Sequence, residues 1–444
     1  MNDAPTMKLR RRDLLLRALF GPGLVGLRSL ATGIPAAILA NPRRVWADPP
    51  VPGAAQYVLL NTSADGDPIT CNVPGTYGND AIAHPTQPQM APTTITLRGT
   101  PYTAAQPWST LPQALLDRTC FFHHATYSVV HADQQKVQTL GGYTTDNEMF
   151  ISMLAGQLAP ALGTVQSEPI ALGPRNVSES VVYRAQPQPI YTPSALALLL
   201  GPPTGPLGQL TALRDRDLDR LNALVRCEGT PAQAAFIDQY AHSQAQVRQV
   251  SETLLSVLQG IHDDGVASQL LAAVTLFRMN VAPAVTVHIP FGGDNHADFG
   301  FMKETQETVS GMASLASLWS TLNAVSMQDR VSFLSLNVFG RTMSRAKTMA
   351  GRAHNANHHC AIFFGAPFRG SVVGGIEPVG LDIGAMSIDP VSGRGVPGGG
   401  GSIGLTDSFQ SMALTFGRGA GVDPAYLRAN ISGGEQVNTP LVTP

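Results

Sequence analysis

Five short apolar runs, each bounded by turn-forming or polar residues, set the strongest limit on how this chain folds. They are Gln56–Asn61, Arg118–His123, Val285–Pro290, Val331–Leu336 and Cys360–Phe364. All are too short for a core helix, and they are rich in valine, phenylalanine and isoleucine. A strand that is apolar on both alternating faces is buried on both, as in a parallel sheet covered by helices. Between these runs lie stretches with helical periodicity, at 146–157, 207–226, 231–260, 267–279 and 302–325. Strand alternating with helix predicts an α/β fold, a mostly parallel sheet sandwiched by helices. Strands near 56–61, 118–123, 285–289, 331–336 and 360–364 are expected to be adjacent in it. Residues 79–110, with their prolines, read as an excursion over the surface, and 187–206 as loop. The block at about 190–280 reads as a helical insertion in a domain spanning 48–444, and the helices between 207 and 279 as an appended unit.

The N-terminus carries Lys8-Leu9-Arg10-Arg11-Arg12-Asp13-Leu14-Leu15, the order of a twin-arginine export signal. The stretch from Leu14 to Ala40 is interrupted by Gly21, Pro22, Gly23, Gly26, Arg28 and Pro35. It therefore falls short of the ~20 consecutive apolar residues of a spanning helix. Val45-Trp46-Ala47 offers a signal-peptidase site, which makes residues 1–47 a signal peptide and Asp48 the expected mature start. The expected partner is the twin-arginine translocation machinery, and the expected location is the periplasm or the exterior, with no stable membrane span after processing.

Only 14% of residues are charged and the formal net charge is −2, so nothing draws the chain to nucleic acid. The four cysteines, Cys71, Cys120, Cys227 and Cys360, are far apart, lack a C-x-x-C pair, and read as mostly free, buried thiols.

Ligands in open α/β sheets bind beyond the carboxyl ends of the strands. Four polar clusters fall there. They are Asp65-Gly66-Asp67; His123-His124 with His131 further on; Gly292-Gly293-Asp294-Asn295-His296; and Asn337 through Arg341, with His354, His358 and His359 downstream. Carboxylate oxygen and imidazole nitrogen are ligands for zinc, manganese or iron, so aspartates and histidines gathered at strand ends suit a metal site. The Asn355-Ala356-Asn357 stretch reads as a loop that directs one or two of its three flanking histidines to that site. His131 is a further candidate, His288 reads as a hydrogen-bonded core histidine, and His84, His242 and His262 as solvated. Thr126 and Ser128 lie in the interval where a nucleophilic hydroxyl would stand.

Val58-Leu59-Leu60 with its Asp-Gly turn, Gly292-Gly293-Asp294-Asn295-His296, Phe339-Gly340-Arg341-Thr342, Gly351-Arg352-Ala353-His354 and the glycines from Gly370 to Gly375 resemble one family in order and spacing. It is the twin-arginine-exported, alkaline-phosphatase-like domain family of unknown function, whose members carry G-G-N-D-G, G-G-x-D-x-H and E-F-G-R-T motifs. The resemblance covers most of residues 55 to 380 and implies the alkaline phosphatase and sulfatase superfamily fold. It also implies a metal site, zinc being the expected divalent ion. Asp67 would be the early carboxylate ligand, Asp294 and His296 the central pair and His354 a late imidazole; apart from the resemblance, His359 is a further candidate ligand from the histidines that flank Asn355-Ala356-Asn357. Arg341 would steady an anion through paired hydrogen bonds.

Two positions depart from the family. Val338 replaces the glutamate before F-G-R-T and Ala353 an aspartate before the histidine, and neither side chain binds metal. The neutral Asn337 beside Val338 offers a weaker oxygen ligand. One complete metal position and one impaired one are therefore expected. The implied activity is metal-dependent hydrolysis of a small anionic ester, a phosphate or sulfate. The alternative is a non-catalytic periplasmic protein that binds a partner or assists envelope assembly on the same scaffold.

Overall fold

The computed structural model describes residues 55–164, 166–174, 180–200, 207–248, 257–345 and 350–443. The signal segment 1–47, the expected cleavage after Ala47 and the 249–256 part of the helix expected over 231–260 lie outside the described residues. Numbering only the strands of the central sheet, they are β1 (Tyr57–Asn61), β2 (Thr119–His124), β3 (Ile170–Leu172), β4 (Ile190–Tyr191), β5 (Ala284–Val287), β6 (Val331–Ser335), β7 (His359–Phe364) and β8 (Ser371–Val373). Their order is β8-β2-β7-β6-β1-β5-β3-β4, so the five strands expected from the sequence are indeed neighbours. β1 sits in the middle, parallel to β6 on one side and β5 on the other, with Leu59 opposite Phe333 and Val285. Only β7 runs against its neighbours, antiparallel to β6 and β2. The fold is thus α/β with a mixed, mostly parallel eight-stranded sheet flanked by helices, as in the alkaline-phosphatase-like architecture.

The strands are apolar throughout because both faces are covered. Tyr57, Leu59, Phe121, Val285, Phe333 and Ile362 enter one core layer. Helices Val266–Arg278 and Met302–Ala324 close it with residues such as Leu270, Phe277, Met312 and Leu315. Val58, Leu60, Phe122, Leu334 and Phe363 enter the other, under Phe150–Leu158 and Ser408–Gly419. At roughly 1.5–3 kcal/mol for each fully buried large apolar side chain, these two layers supply the main drive to fold.

The structure changes three local expectations. Residues 79–110 are not only an excursion: Pro92–Leu97 and Thr100–Ala105 pair as a hairpin. Its turn, Arg98-Gly99, has positive φ at both residues, matching the twist of the strands it joins. Ile95 and Leu97 are buried while Thr94 is exposed and Thr96 half-buried, a period of two hidden in a threonine-rich segment. Residues 187–206 include β4 and a helix over Pro193–Leu200. Helix Val266–Arg278 belongs to the sheet's cover, while Leu207–Glu228 and Pro231–Arg248 pair with each other as an outlying hairpin. Cys71, Cys120 and Cys360 are free and buried and Cys227 is free and exposed. Among the described residues no helix is long and apolar enough to cross a membrane.

Candidate metal centre

The loops leaving β1, β2, β5 and β6 meet at one end of the sheet. After β5, Gly292 has φ of 110°, and a Cβ there would overlap the Pro68 ring, so glycine lets this loop press against the one leaving β1. That contact aims Asp294 and His296 across the sheet end. After β6, Gly340-Arg341 pairs antiparallel with His354-Asn355, Arg341 opposite His354. A side chain on Gly340 would run into the carbonyl of His358, so this ribbon forms only with glycine there.

Three imidazoles converge. Among the described residues, His131, His296 and His354 are the group of three potential ligands whose donor atoms all lie within 4.8 Å of one another. His354 Nδ1 bonds to the carbonyl of Val129, and His131 Nδ1 lies 2.6 Å from the carbonyl of Ala64. A carbonyl only accepts, so both rings must carry a proton on Nδ1, and in the neutral ring that leaves Nε2 with the lone pair. His354 Nε2 stands 2.7 Å from His296 Nε2. At that separation an N–H or a cation must lie between two ring nitrogens, because two bare lone pairs would repel.

Phe339 braces the group. Its ring stacks on His354 at 4.0 Å between centroids and meets His131 edge-on at 5.0 Å. Gly66, at φ 65°, leaves the space that Phe339 fills.

Asp294 lies beside the cluster. Its Oδ1 is 3.6 Å from His296 Nε2, and its Oδ2 is 3.8 Å from His131 Nε2. Partial burial works to raise this carboxyl, but Arg341 and then His296 outweigh it and hold the group below the usual carboxylate range. His354 is shifted down, chiefly by burial and against the Val129 bond, so it favours the neutral form that ligates metal.

Arg341 is fully buried, and its donors are engaged from within. Nε bonds to Gly66 O at 2.5 Å, Nη1 to Arg352 O at 3.2 Å, and Nη2 to Asp65 O and to Asp294 Oδ1, the last at 3.0 Å. The guanidinium ties the β1, β5 and β6 loops together rather than presenting a fork to solvent.

A second buried arginine supports the loops from below. Arg352 makes a paired bond with Glu304, Nε to Oε2 at 2.7 Å and Nη2 to Oε1 at 3.1 Å, and both side chains are fully buried. Glu304 also accepts from Asn72 and Asn295, each at 3.0 Å. Asp298 receives the amides of Lys303 and Glu304, fixing the start of the helix that carries this carboxylate.

Other residues singled out from the sequence lie elsewhere. Asp67 is fully buried and outside the three-imidazole group, and burial pushes its carboxyl up to about 6. His359 is not in that group either. It is buried beside His124, ring centroids 5.1 Å apart, with both ring nitrogens lacking a hydrogen-bond partner. His358 turns inward to His123, with 2.9 Å between ring nitrogens. Of the three histidines around Asn355-Ala356-Asn357, only His354 reaches the site.

Thr126 and Ser128 are buried, and the Ser128 hydroxyl bonds to Asp133 at 2.9 Å. Asn337 and Val338 are fully buried, Val338 within the apolar core. His84 is half-buried against Tyr77 rather than solvated, and His288 is half-buried just past the end of β5. His242 and His262 are exposed as expected.

No protein-family model matches the chain, and no curated protein matches it. Among solved structures, Ps i-CgsB in complex with k-i-k-neocarrahexaose is 11% identical, with 84% of this chain and 73% of that chain covered at a TM-score of 0.26. Another structure of Ps i-CgsB is 10% identical, with 86% and 75% covered at a TM-score of 0.29. At those scores neither says anything about the site.

Proposed function

We propose that the chain is an exported, metal-dependent hydrolase-like protein whose metal position is the His131–His296–His354 cluster. The observation that carries this reading is the pair of backbone carbonyls on His131 and His354. Histidines that ligate metal nearly always donate their other ring N–H to such a group, which fixes the tautomer and aims the lone pair. Imidazole donors suit zinc among the common divalent ions, and Asp294 stands where a carboxylate would complete or flank the set. When bound, a zinc ion would supply Lewis acidity and a water acidic enough to attack an ester near neutral pH.

The chain's own residues would do the rest. Arg341 holds Asp294 in place and ionised, so the carboxylate can accept a proton from an attacking water. Phe339 keeps water from one face of the His354 ring. Ser128 is engaged with Asp133, so water is the nucleophile this arrangement favours. A small phosphate or sulfate ester would reach the site from the open side, where the side chains of His131, Asp294 and His296 are each more than a third exposed. The engaged donors of Arg341 favour the second reading, a site that binds without turning over, since its guanidinium is committed to protein partners.

The test is hydrolysis of aryl phosphate and aryl sulfate esters by the mature protein, stripped with chelator and then reloaded with zinc. Zinc-restored turnover that disappears in His296→Ala supports the enzyme. Zinc binding without turnover of any ester supports the binding protein.

A further inference from the structure

We propose that the outlying helix Leu207–Glu228 is a homodimer contact that pairs antiparallel with the same helix of a second copy. On this helix Leu210, Leu213, Leu221 and Leu224 are 57, 49, 54 and 56% exposed, a set of large apolar side chains that the described part of the fold leaves in water. At 3.6 residues per turn they form one row along the helix. The contact with the neighbouring helix Pro231–Arg248 uses another face. There the buried Asn222 bonds to Gln244 at 3.0 Å, about a third of a turn away from the leucine row.

The order of residues along the row identifies its occupant. The steps from Leu210 to Leu213, Asp217, Leu221 and Leu224 are three, four, four and three residues, which read the same in both directions about Asp217. An antiparallel copy with Asp217 on the two-fold axis therefore sets Leu210 against Leu224 and Leu213 against Leu221, and each contact occurs twice. The charges share the symmetry. Arg214 and Arg220 lie three residues to either side of Asp217, all three with side chains more than half exposed. The two Asp217 carboxylates would meet at the axis, each offset by Arg220 of its own helix at 3.7 Å, while Arg214 is already bonded to Asp215 of its own helix at 2.9 Å. A surface complementary to itself under a two-fold rotation is the geometry of a closed dimer, whereas a different partner would need no such palindrome. The contact is a single helix pair, so the association should be reversible and concentration-dependent.

The test is the mass of the full-length mature protein by sedimentation equilibrium, from low to high micromolar concentration. Wild type should move from monomer to dimer over that range. Leu213→Glu with Leu221→Glu puts carboxylate against carboxylate in the antiparallel register, and this variant should stay monomeric with an unchanged circular dichroism spectrum. Leu213→Glu with Leu221→Lys puts each new acid against a new base of the other copy and should recover dimer. A wild type that stays monomeric at every concentration would overturn the proposal, as would a double-glutamate variant that still dimerises. Failure of the acid–base variant to recover dimer, where the double-glutamate variant has lost it, would overturn the antiparallel register.

Discussion

The four buried histidines make the protein acid-sensitive in a defined window. His123 and His124 end β2, His359 begins β7 opposite His124, and His358 immediately precedes it; each is no more than 1% exposed. Burial pushes His123 and His124 down to about 4 and holds His358 and His359 well below the ordinary value. A histidine in the unfolded chain titrates at about 6.5. Between pH 6.5 and 4 the unfolded state therefore binds more protons than the folded one. The stability these histidines leave intact is fully present above pH 6.5 and is lost as the pH drops through that window.

At about 1.36 kcal/mol per pKa unit, His123 and His124 each withdraw about 3 kcal/mol by pH 4. Asp67 acts in the opposite sense. Its carboxyl, raised to about 6 by burial, returns about 3 kcal/mol as the pH falls from 6 towards 3.8. The net loss is still a large part of the roughly 5–15 kcal/mol typical of a folded domain. The assay is the urea midpoint followed by tryptophan fluorescence from pH 8 to 4.5, in wild type and in His359→Phe, which keeps an aromatic ring and removes one titrating group. The wild-type midpoint should fall steeply below pH 6.5 and the variant's less so. A flat wild-type profile, or four imidazoles titrating near 6.5 by proton magnetic resonance, would refute the reasoning.

Asp67→Asn should stabilise the protein at pH 8, where the buried carboxylate is ionised, and have little effect at pH 4.5; equal urea shifts at the two pH values would count against it. Glu304→Ala leaves Arg352 charged and buried without its partner, which should cost about 3–5 kcal/mol and lower the thermal midpoint. Gly340→Ala meets the His358 carbonyl and should disrupt the ribbon that carries His354, seen as a loss of metal affinity larger than the loss of stability.

The sheet was legible because its strands are buried on both faces and so are apolar without interruption, as in Tyr57-Val58-Leu59-Leu60. The reversal of β7 was not, since a strand apolar on both faces looks the same in either direction. That reversal matters, because it brings the start of β7, at His359, to the sheet end where β1, β5 and β6 finish. The hairpin at Pro92–Ala105 has a weak sequence signal because its alternation runs through threonines, which are polar enough to resemble loop.

At the site, the loop after β5 was readable from its paired glycines, and Asp294, His296 and His354 do come together. Closeness in sequence misled at His359. His354 lies on the ribbon that pairs with Gly340-Arg341, whereas His358 and His359 lead into β7 and pack against His123 and His124. His131, a further candidate in the sequence, joins His296 and His354, and the carbonyls of Ala64 and Val129 orient its ring and that of His354. Glu304 had no local signal at all, being a helix residue whose role depends on Arg352, far along the chain.

The most direct measurement is the zinc content of the mature protein after dialysis against zinc and removal of the free ion, alongside His131→Ala, His296→Ala and His354→Ala. The wild type should hold about one zinc per chain, as for a three-imidazole site, and each variant should lose a large fraction of it. A wild type with no bound metal, or variants that keep the wild-type content, would contradict that site.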